Sequence, residues 1–424
     1  MKPPILGKQT YLRDHPATGD TFGPFIQERY DREDDHNPLY TGRYLLILKE
    51  NHKSVMKATR MLETKWGFTV ANTADFVKET LDESKIKGAD ALFYNELGVA
   101  LMGAGEEMID RLASSDADYL IEPEKVVYIP DEVPEATKLP STWGIRITEA
   151  LHSPYTGAGV GVAVIDTGFD TSHPDFIGRE VTTYSFVPDE TIQDQHGHGT
   201  HCIGTACGSV DLNEQRYGVA SGAHIYAGKV LNNQGSGAQA WVLNGMTWAA
   251  NSGCKVLSMS LGSKVLPGDH YDEAYERAAR YALSKGTVIV AAAGNESRRS
   301  KKQFSPVGSP ADCPSILAVA ALDEALQVAD FSNRAINPGG EMDIAAPGVA
   351  IYSSWPMPAR NRTLSGTSMA TPYVAGILAL LFEKHPDATP SMAVKELREM
   401  ARSLPLLPED VGAGLSLAPK GKKQ

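Results

Sequence analysis

The second half of the chain contains a series of short, continuous apolar runs, and these constrain the fold more than any other feature. The runs read VGVAVID, HIYAGKVL, KVLSMSLG, TVIVAAAG, SILAVAAL and MDIAAPG. Strands of a parallel sheet are buried on both faces, so they lose the alternation of apolar and polar residues. The segments between the runs are long enough for crossover helices. The pattern predicts an α/β domain with a mostly parallel central sheet flanked by helices, in which ligands bind beyond the carboxyl ends of the strands.

A smaller unit with a different pattern precedes this domain. Its predicted elements are a strand at 43–49, a helix at 53–66, strands at 91–94 and 99–102, a helix at 105–114 and a strand at 120–128. This β-α-β-β-α-β order predicts a small α+β fold of the ferredoxin-like type. Residues 72–88 predict a polar loop or helix inserted within it.

Composition divides the chain into five segments. Residues 1–40 mix Pro, Gly, Asp and Arg without hydrophobic periodicity and predict a flexible tail. The small unit spans 41–129, and the Pro-rich, charged segment 130–142 predicts an exposed linker. The α/β domain spans 143–418, and residues 419–424 form a basic tail.

Charge and cysteine usage exclude some classes of protein. The 424 residues include 40 Lys and Arg against 52 Asp and Glu, a net charge of −12. This balance argues against a nucleic-acid partner, because phosphate contacts need clustered basic residues. No apolar run approaches the roughly 18 residues of a membrane span. The sequence shows no secretory signal, and its four cysteines (Cys202, Cys207, Cys254 and Cys313) form no CxxC pair, which favours reduced thiols and a cytoplasmic protein. The alternative is a secreted protein whose export segment is missing from this sequence.

Two segments present candidate acid–base residues. Asp166 ends the run VGVAVID, at the ligand-facing edge of the predicted sheet, although an Asp that only caps a turn fits this segment equally well. In DQHGHGTHCIGT, the residues His196, His198 and His201, with Asp194, are candidate zinc ligands. A zinc helix usually presents His at i and i+4, and that spacing is absent. A single catalytic imidazole at His198 fits better, and His201 is predicted to be structural.

A third segment, TLSGTSMATPYVAGILALLF, places Ser368 at the start of a long apolar helix. Backbone N–H groups at a helix N-terminus can bind developing negative charge. Pro372 is predicted to lie in the first turn, where its missing N–H has no cost. A plain capping serine would not need the small residues at 366–370, so catalysis is favoured. Asn295, after the run TVIVAAAG, is either a second donor for an oxyanion or a turn residue.

Together these residues predict acyl transfer. A serine hydroxyl needs a base within hydrogen-bond reach, an imidazole titrates near neutral pH, and a carboxylate can orient the imidazole. The motifs DTG, HGTH and GTSMATP, in this order, resemble the catalytic domain of the subtilisin-like serine peptidases, or subtilases, over residues 143–416. The resemblance implies a triad of Asp166, His198 and Ser368, with Asn295 as the oxyanion-hole side chain.

The resemblance also implies a substrate cleft. Its expected residues are Ser260, Leu261 and Gly262 on one edge, Gly235, Ser236 and Gly237 on the other, and Gly308 in the floor of the S1 pocket. A bound peptide would be added between the edges as a strand. Gly308 implies a roomy pocket that takes large apolar or aromatic P1 residues. The basic stretch Arg298, Arg299, Lys301 and Lys302 is interpreted as a solvated loop.

No cofactor is expected for the chemistry, but the resemblance implies a structural calcium ion. Its ligands would be the carbonyls of Pro314 and Ile316 and the carboxylate of Asp343. A second family site uses an Asp like Asp175, but the accompanying loop here, GSVDLNEQRYG, lacks the usual pattern. Cys202 resembles a variant of the proteinase K branch and is predicted to be a buried free thiol beneath the catalytic His, which would explain mercury sensitivity.

The unit at 41–129 resembles the inhibitory propeptide of the family through ALFYNELGVALM and YLIEPEKVVYIP. This implies an intramolecular inhibitor that is cleaved off between about 127 and 142. The leading hypothesis is a serine endopeptidase, made as a self-inhibited zymogen, that acts on protein or peptide substrates. The alternatives are a leader-peptide processing protease or transpeptidase, a non-catalytic peptide-binding module, and a metallohydrolase built on the three histidines.

Overall fold

The structure, a computed structural model, describes residues 39–49, 53–76, 86, 88–113, 119–129 and 141–421. Most of the predicted N-terminal tail, most of the predicted linker and the last three residues lie outside this described part. The chain divides into two compact units. One comprises Met1–Val126 and Ala238–Ala240, and the other Val127–Gly237 and Trp241–Gln424.

The first unit is a small, mostly antiparallel sheet with two helices. Its elements are β1 (Tyr40–Leu48), α1 (Lys53–Trp66), β2 (Val70–Asn72), β3 (Ala91–Tyr94), β4 (Val99–Met102), α2 (Glu106–Ala113) and β5 (Tyr119–Tyr128), whose last two residues belong to the second unit. The strand order is β2-β3-β4-β1-β5. Apolar residues of both helices pack on the sheet, with Leu62 and Leu112 against Leu46 and Phe93. The predicted order of elements is confirmed with one addition, β2, whose three residues are too few to show a pattern.

The second unit is built on a seven-stranded sheet in the order β13-β12-β11-β10-β6-β8-β7. Its strands are β6 (Gly161–Asp166), β7 (Val181–Ser185), β8 (His224–Lys229), β10 (Val256–Met259), β11 (Val288–Ala292), β12 (Leu317–Leu322) and β13 (Ile344–Pro347). Every adjacent pair is parallel, as predicted. The edge strand β7 was missed because its sequence, VTTYS, is polar and only half-buried.

The remaining elements of this unit are short strands and helices. They are β9 (Ser236–Ala238), β14 (Ile351–Ser354), β15 (Asn361–Leu364), α3 (Trp143–Ile147), α4 (His198–Cys207), α5 (Gln239–Asn251), α6 (Glu273–Ser284), α7 (Thr367–Lys384), α8 (Pro390–Met400) and α9 (Pro408–Val411). Within the described ranges, no helix combines the length and the apolar character needed to cross a membrane.

The core of the second unit lies on both faces of the sheet. Helices α4 and α7 pack on one face, with Ile203 and Leu378 in one cluster with Val164. The next residue of β6, Ile165, points to the opposite face, where α5 approaches it at Gly245. The chain leaves β6 towards β7 and β8 on one side and returns to β10 on the other. The order reverses beside β6, so the carboxyl end of β6 opens into a crevice of the kind that binds ligands.

Candidate active site

The three predicted catalytic side chains come from three different elements. Asp166 ends β6, His198 begins α4 and Ser368 is the second residue of α7. Their exposed fractions are 1%, 0% and 1%. His198 Nδ1 lies 2.7 Å from Asp166 Oδ1. Cys202 Sγ lies 3.9 Å from His198 Nδ1 and 3.6 Å from the carbonyl oxygen of Ser368, so the fold assembles these residues around one thiol.

The carboxylate of Asp166 is oriented by its own turn. The same Oδ1 atom also accepts a hydrogen bond from the Thr167 N–H at 2.7 Å, while Oδ2 has no hydrogen-bond partner among the described residues. The Thr167 hydroxyl donates to Asp194 at 2.9 Å and accepts from the N–H of Gly199 at 2.9 Å. This hydroxyl therefore ties the turn after β6 to the first turn of α4.

Asp194 organises the loop that leads into α4. Its carboxylate accepts hydrogen bonds from the backbone N–H groups of His196, Gly197 and Thr200, at 3.1, 2.7 and 2.9 Å. Carboxylates are favourable at this position because they satisfy N–H groups that the helix leaves without partners. The local sequence predicts Asp194 only as a candidate zinc ligand, and nothing in it indicates that this residue fixes the loop before His198.

The electrostatic environment separates the histidines. Burial lowers the pKa of His198, but Asp166 and Cys202 outweigh it and hold this pKa well above its usual value. Burial lowers the pKa of His201 to about 3. His201 Nε2 donates to the carbonyl oxygens of Ile351 and Arg362 at 3.0 and 3.2 Å. His201 is therefore a neutral structural residue, as predicted, and this Nε2 is not available to a zinc ion.

The structure corrects the predicted start of the serine helix. Because α7 begins at Thr367, Pro372 is its sixth residue and does not lie in the first turn. In a regular helix the N–H of this residue would bond to the carbonyl of Ser368, and proline has no N–H to do so. That carbonyl instead accepts the hydroxyl of Ser260 at 2.7 Å and the thiol of Cys202. Ser368 Oγ in turn donates to the carbonyl of Ser260 at 3.2 Å.

Asn295 presents a donor beside Ser368. Its Oδ1 accepts hydrogen bonds from the N–H and the hydroxyl of Thr367, at 2.9 and 2.8 Å, and these bonds fix the orientation of the amide. The Nδ2 atom is buried and has no hydrogen-bond partner in the described part of the chain. A Cβ built on Gly366 would lie 3.1 Å from this Nδ2 and 3.6 Å from the backbone nitrogen of Ser368. Two donors thus lie next to one small space, as an oxyanion hole requires.

The predicted cleft edges lie on either side of an extended segment. The N–H of Tyr128 donates to the carbonyl of Gly262 at 2.9 Å, and the N–H of Gly262 donates back at 3.3 Å. The N–H of Ile129 donates to the carbonyl of Gly235 at 3.2 Å. Ser236 and Gly237 continue the second edge in β9, and Ser260 and Leu261 precede Gly262 after β10. Both edges are therefore able to pair with an extended chain.

Gly308 lies next to the first edge. Its N–H donates to the carbonyl of Ala293 at 2.9 Å, and a Cβ at this position would approach the carbonyl of Ser263 to 3.1 Å. Ser263 and Ser309 exchange backbone hydrogen bonds of 2.8 and 3.0 Å. The predicted floor of the S1 pocket is thus joined to the cleft edge through its main chain.

Comparison with known proteins decides the family. Residues 157–414 match the sequence model described as the subtilase family. This chain belongs to the subtilase family. The subtilisin of Bacillus pumilus is 43% identical over 258 residues, which cover 60% of this chain and 88% of that protein. Subtilisin E of Bacillus subtilis is also 43% identical over 258 residues, covering 60% of this chain and 64% of that protein.

Two proteins of lower sequence identity support the same assignment. Thermitase of Thermoactinomyces vulgaris is 38% identical over 257 residues, covering 60% of this subtilase and 83% of thermitase. The solved structure of sphericase superimposes with a TM-score of 0.57 at 31% identity, covering 67% of this chain and all of sphericase. The family and these relatives identify the chain as a serine-type endopeptidase with a subtilisin-like α/β fold.

The cation sites expected in a subtilase do not fit calcium here. The buried carboxylate of Asp343 pairs with the guanidinium of Arg398 and accepts the N–H of Ala318 at 2.8 Å. Asp175 pairs with Arg360 at 2.5 Å and accepts the hydroxyl of Tyr217 at 2.8 Å. Each carboxylate already has a cationic partner, so a calcium ion would have to displace a guanidinium. The predicted site at Pro314, Ile316 and Asp343 is therefore not supported by its donor set.

Chelation should leave the stability of this subtilase unchanged. We expect Tm in EDTA and Tm in millimolar CaCl₂ to agree within about 1 °C, because both carboxylates that the family would offer to calcium already pair with an arginine, and an ion stabilises a fold only where it binds. Differential scanning calorimetry of the Ser368→Ala variant, which cannot degrade itself, measures both values. A rise of more than about 5 °C in CaCl₂ would show a calcium site that these ion pairs do not reveal.

One further interpretation needs correction. Within the basic stretch after Asn295, Arg298, Lys301 and Lys302 are exposed, as predicted for a solvated loop. Arg299 is not: its guanidinium pairs with Asp410 at 2.6 Å and donates to the carbonyls of Ser332 and Asn333. It connects this loop to α9 and is a structural residue.

Proposed function

We propose that this subtilase hydrolyses peptide bonds through an acyl-enzyme formed on Ser368. The observation that carries the proposal is the 2.7 Å contact between His198 Nδ1 and Asp166, because it leaves Nε2 as the basic nitrogen of the imidazole. Cys202 Sγ contacts both this imidazole and the carbonyl of Ser368. His198 acts as the general base that takes the serine proton, and Asp166 stabilises the resulting imidazolium.

The reaction proceeds in two stages, acylation of Ser368 and hydrolysis of the acyl-enzyme. The Ser368 hydroxyl turns from the carbonyl of Ser260 to His198 and attacks the scissile carbonyl, and the oxyanion is bound by the Asn295 amide and the backbone N–H of Ser368. The tetrahedral intermediate collapses as His198 gives its proton to the leaving amine. Water, activated by the same imidazole, then hydrolyses the ester and restores Ser368.

We also propose that the chain is made as a self-inhibited zymogen with its N-terminal unit as the tethered inhibitor. The support is the pairing of Tyr128 with Gly262 and of Ile129 with Gly235, which is the pairing that an extended substrate would use. Large apolar or aromatic P1 residues are the proposed preference, since Gly308 leaves its pocket without a side chain from the floor.

The register of this pairing predicts the processed bond. Tyr128 lies opposite Gly262 in an antiparallel bridge, so the residue two positions later in a bound chain lies opposite Ser260, beside the Ser368 hydroxyl. For this chain that position is Pro130, outside the described residues. We therefore expect cleavage between Pro130 and Asp131, which N-terminal sequencing of the mature protein would read as DEVPE. Pro130 is not one of the large apolar or aromatic P1 residues proposed above, so we expect this bond to be cut because the chain holds it in place, and more slowly than a peptide with an aromatic P1 residue. A mature protein that starts before Ile129 would contradict the register.

The proposed function is tested by comparing the wild type with Ser368→Ala. We expect a fluorophosphonate probe to label the wild type only, and intact mass to show the wild type shortening with time while the variant stays full-length. Without labelling or shortening of the wild type, the acyl-enzyme proposal fails. Labelling without shortening would keep the acyl-enzyme proposal and contradict self-processing.

A further inference from the structure

A lysine lies buried beside the catalytic carboxylate. Lys229 is the last residue of β8 and pairs in register with Asp166, the last residue of β6. Its side chain is 0% exposed. Lysine is almost never fully buried unless its charge is paired, so the ammonium of Lys229 needs partners inside the protein. The run HIYAGKVL already carries this one charge among apolar residues.

The surroundings hold the lysine in its charged form. Lys229 Nζ donates to the carbonyl of Thr167 at 2.5 Å and to Asn233 Oδ1 at 3.0 Å, and it lies 3.2 Å from Glu190 Oε2. An ammonium group has three donors, and three acceptors surround this one. Burial lowers the pKa of Lys229, and Glu190 opposes this effect.

We propose that Lys229 is a positioning residue that acts through Thr167 and Asp166 on the basicity of His198. Its bond to the Thr167 carbonyl holds the turn whose N–H orients Asp166. Lys229 pairs in register with Asp166, whose buried carboxylate has one oxygen without a hydrogen-bond partner among the described residues and raises the pKa of the lysine. The ammonium stabilises this carboxylate and, at the same time, disfavours a second positive charge on His198.

Several other charged or titratable groups lie around His198. Asp166 at the end of β6, His196 in the loop before α4, and Cys202 and His201 on α4 interact with it, while Asp194 acts on His196 and Arg362 on His201. Asp166 and Cys202 raise the pKa of His198. By Coulomb's law a nearby ammonium acts on the imidazole in the opposite direction, which is the effect expected of Lys229.

The test is the pH dependence of kcat/KM for a chromogenic peptide, whose acid limb reports the pKa of the essential base in the free enzyme. For Lys229→Met, which keeps the length of the side chain and removes its charge, we expect the midpoint to rise by about 1 pH unit. For Glu190→Gln, which removes the negative charge next to the ammonium, we expect the midpoint of the acid limb to fall. Lys395→Met, on the exposed face of α8, should leave it unchanged.

A midpoint that rises in Lys229→Met and falls in Glu190→Gln indicates an electrostatic effect on His198. Loss of structure would not shift the midpoint in opposite directions in the two variants. A midpoint within about 0.2 pH unit of the wild type for Lys229→Met, or a rise for Glu190→Gln, overturns the proposal. If Lys229→Met does not fold, Glu190→Gln decides alone, and an unchanged midpoint then overturns it. The proposal rests on the proposed function: wild type that fails to react with the fluorophosphonate probe contradicts that function, whereas labelled enzyme with unshifted midpoints contradicts only the role of Lys229.

Discussion

His198→Ala should lower kcat for peptide hydrolysis by roughly 10⁶-fold, the order found for the histidine of subtilisin itself. Without the imidazole, no group remains to take the Ser368 proton or to protonate the leaving amine. In the proposed mechanism Asp166, His198 and Ser368 act as a unit, so the double variant His198→Ala/Ser368→Ala should be about as slow as either single variant. Steady-state hydrolysis of a chromogenic peptide measures these rates, with the N-terminal unit removed from every variant by the same added protease, because variants without the imidazole or Ser368 would not process themselves.

The matched control is His224→Ala. His224 begins β8, at the end of the sheet opposite Lys229, and it is partly exposed. It should retain the wild-type kcat. A loss of less than about 100-fold in His198→Ala would show that another group serves as the base, and the assignment of the triad would then be wrong.

Asn295→Asp should lower kcat by at least 10²-fold to 10³-fold with little change in KM. The carboxylate keeps an acceptor for the N–H and the hydroxyl of Thr367, but it lacks the Nδ2 donor and places negative charge where the oxyanion develops. The oxyanion exists only in the transition state and the intermediate, so the loss falls on kcat.

Asn295→Ala provides the comparison, because it removes the donor and the acceptor together. We expect a similar loss of kcat accompanied by a lower Tm, since the Thr367 N–H then loses its partner. Unchanged kcat in the Asp variant would mean that Asn295 serves only to fix Thr367 at the start of α7.

The sequence predicted the parts of this fold that depend on long, regular patterns. Six apolar runs correspond to six strands of the seven-stranded sheet, since a strand buried on both faces has to be apolar throughout. The edge strand β7 faces solvent and carries no such pattern. The motifs around Asp166, His198 and Ser368 also predicted side chains that the structure brings together.

The missed features depend on contacts between distant segments. Nothing local distinguishes Arg299 from its basic neighbours, because its partner Asp410 lies 111 residues away. The same holds for Arg398 and Asp343, whose ion pair engages the carboxylate that the family resemblance offered to calcium. A resemblance carries over the positions of ligands, but a single arginine elsewhere in the chain decides whether the carboxylate is free to bind a metal.

Pro372 leaves α7 with a carbonyl that the helix itself does not use, and Ser260 takes it. In a regular helix this carbonyl would already accept the N–H of residue 372. As a result, Ser260 has contacts in two directions. Its carbonyl faces the position of the bound chain, and its hydroxyl binds the main chain of Ser368. We expect a substrate that displaces this cleft edge to displace Ser368 with it, so poorly fitting peptides should lose kcat through misalignment of the attacking atom as well as affinity.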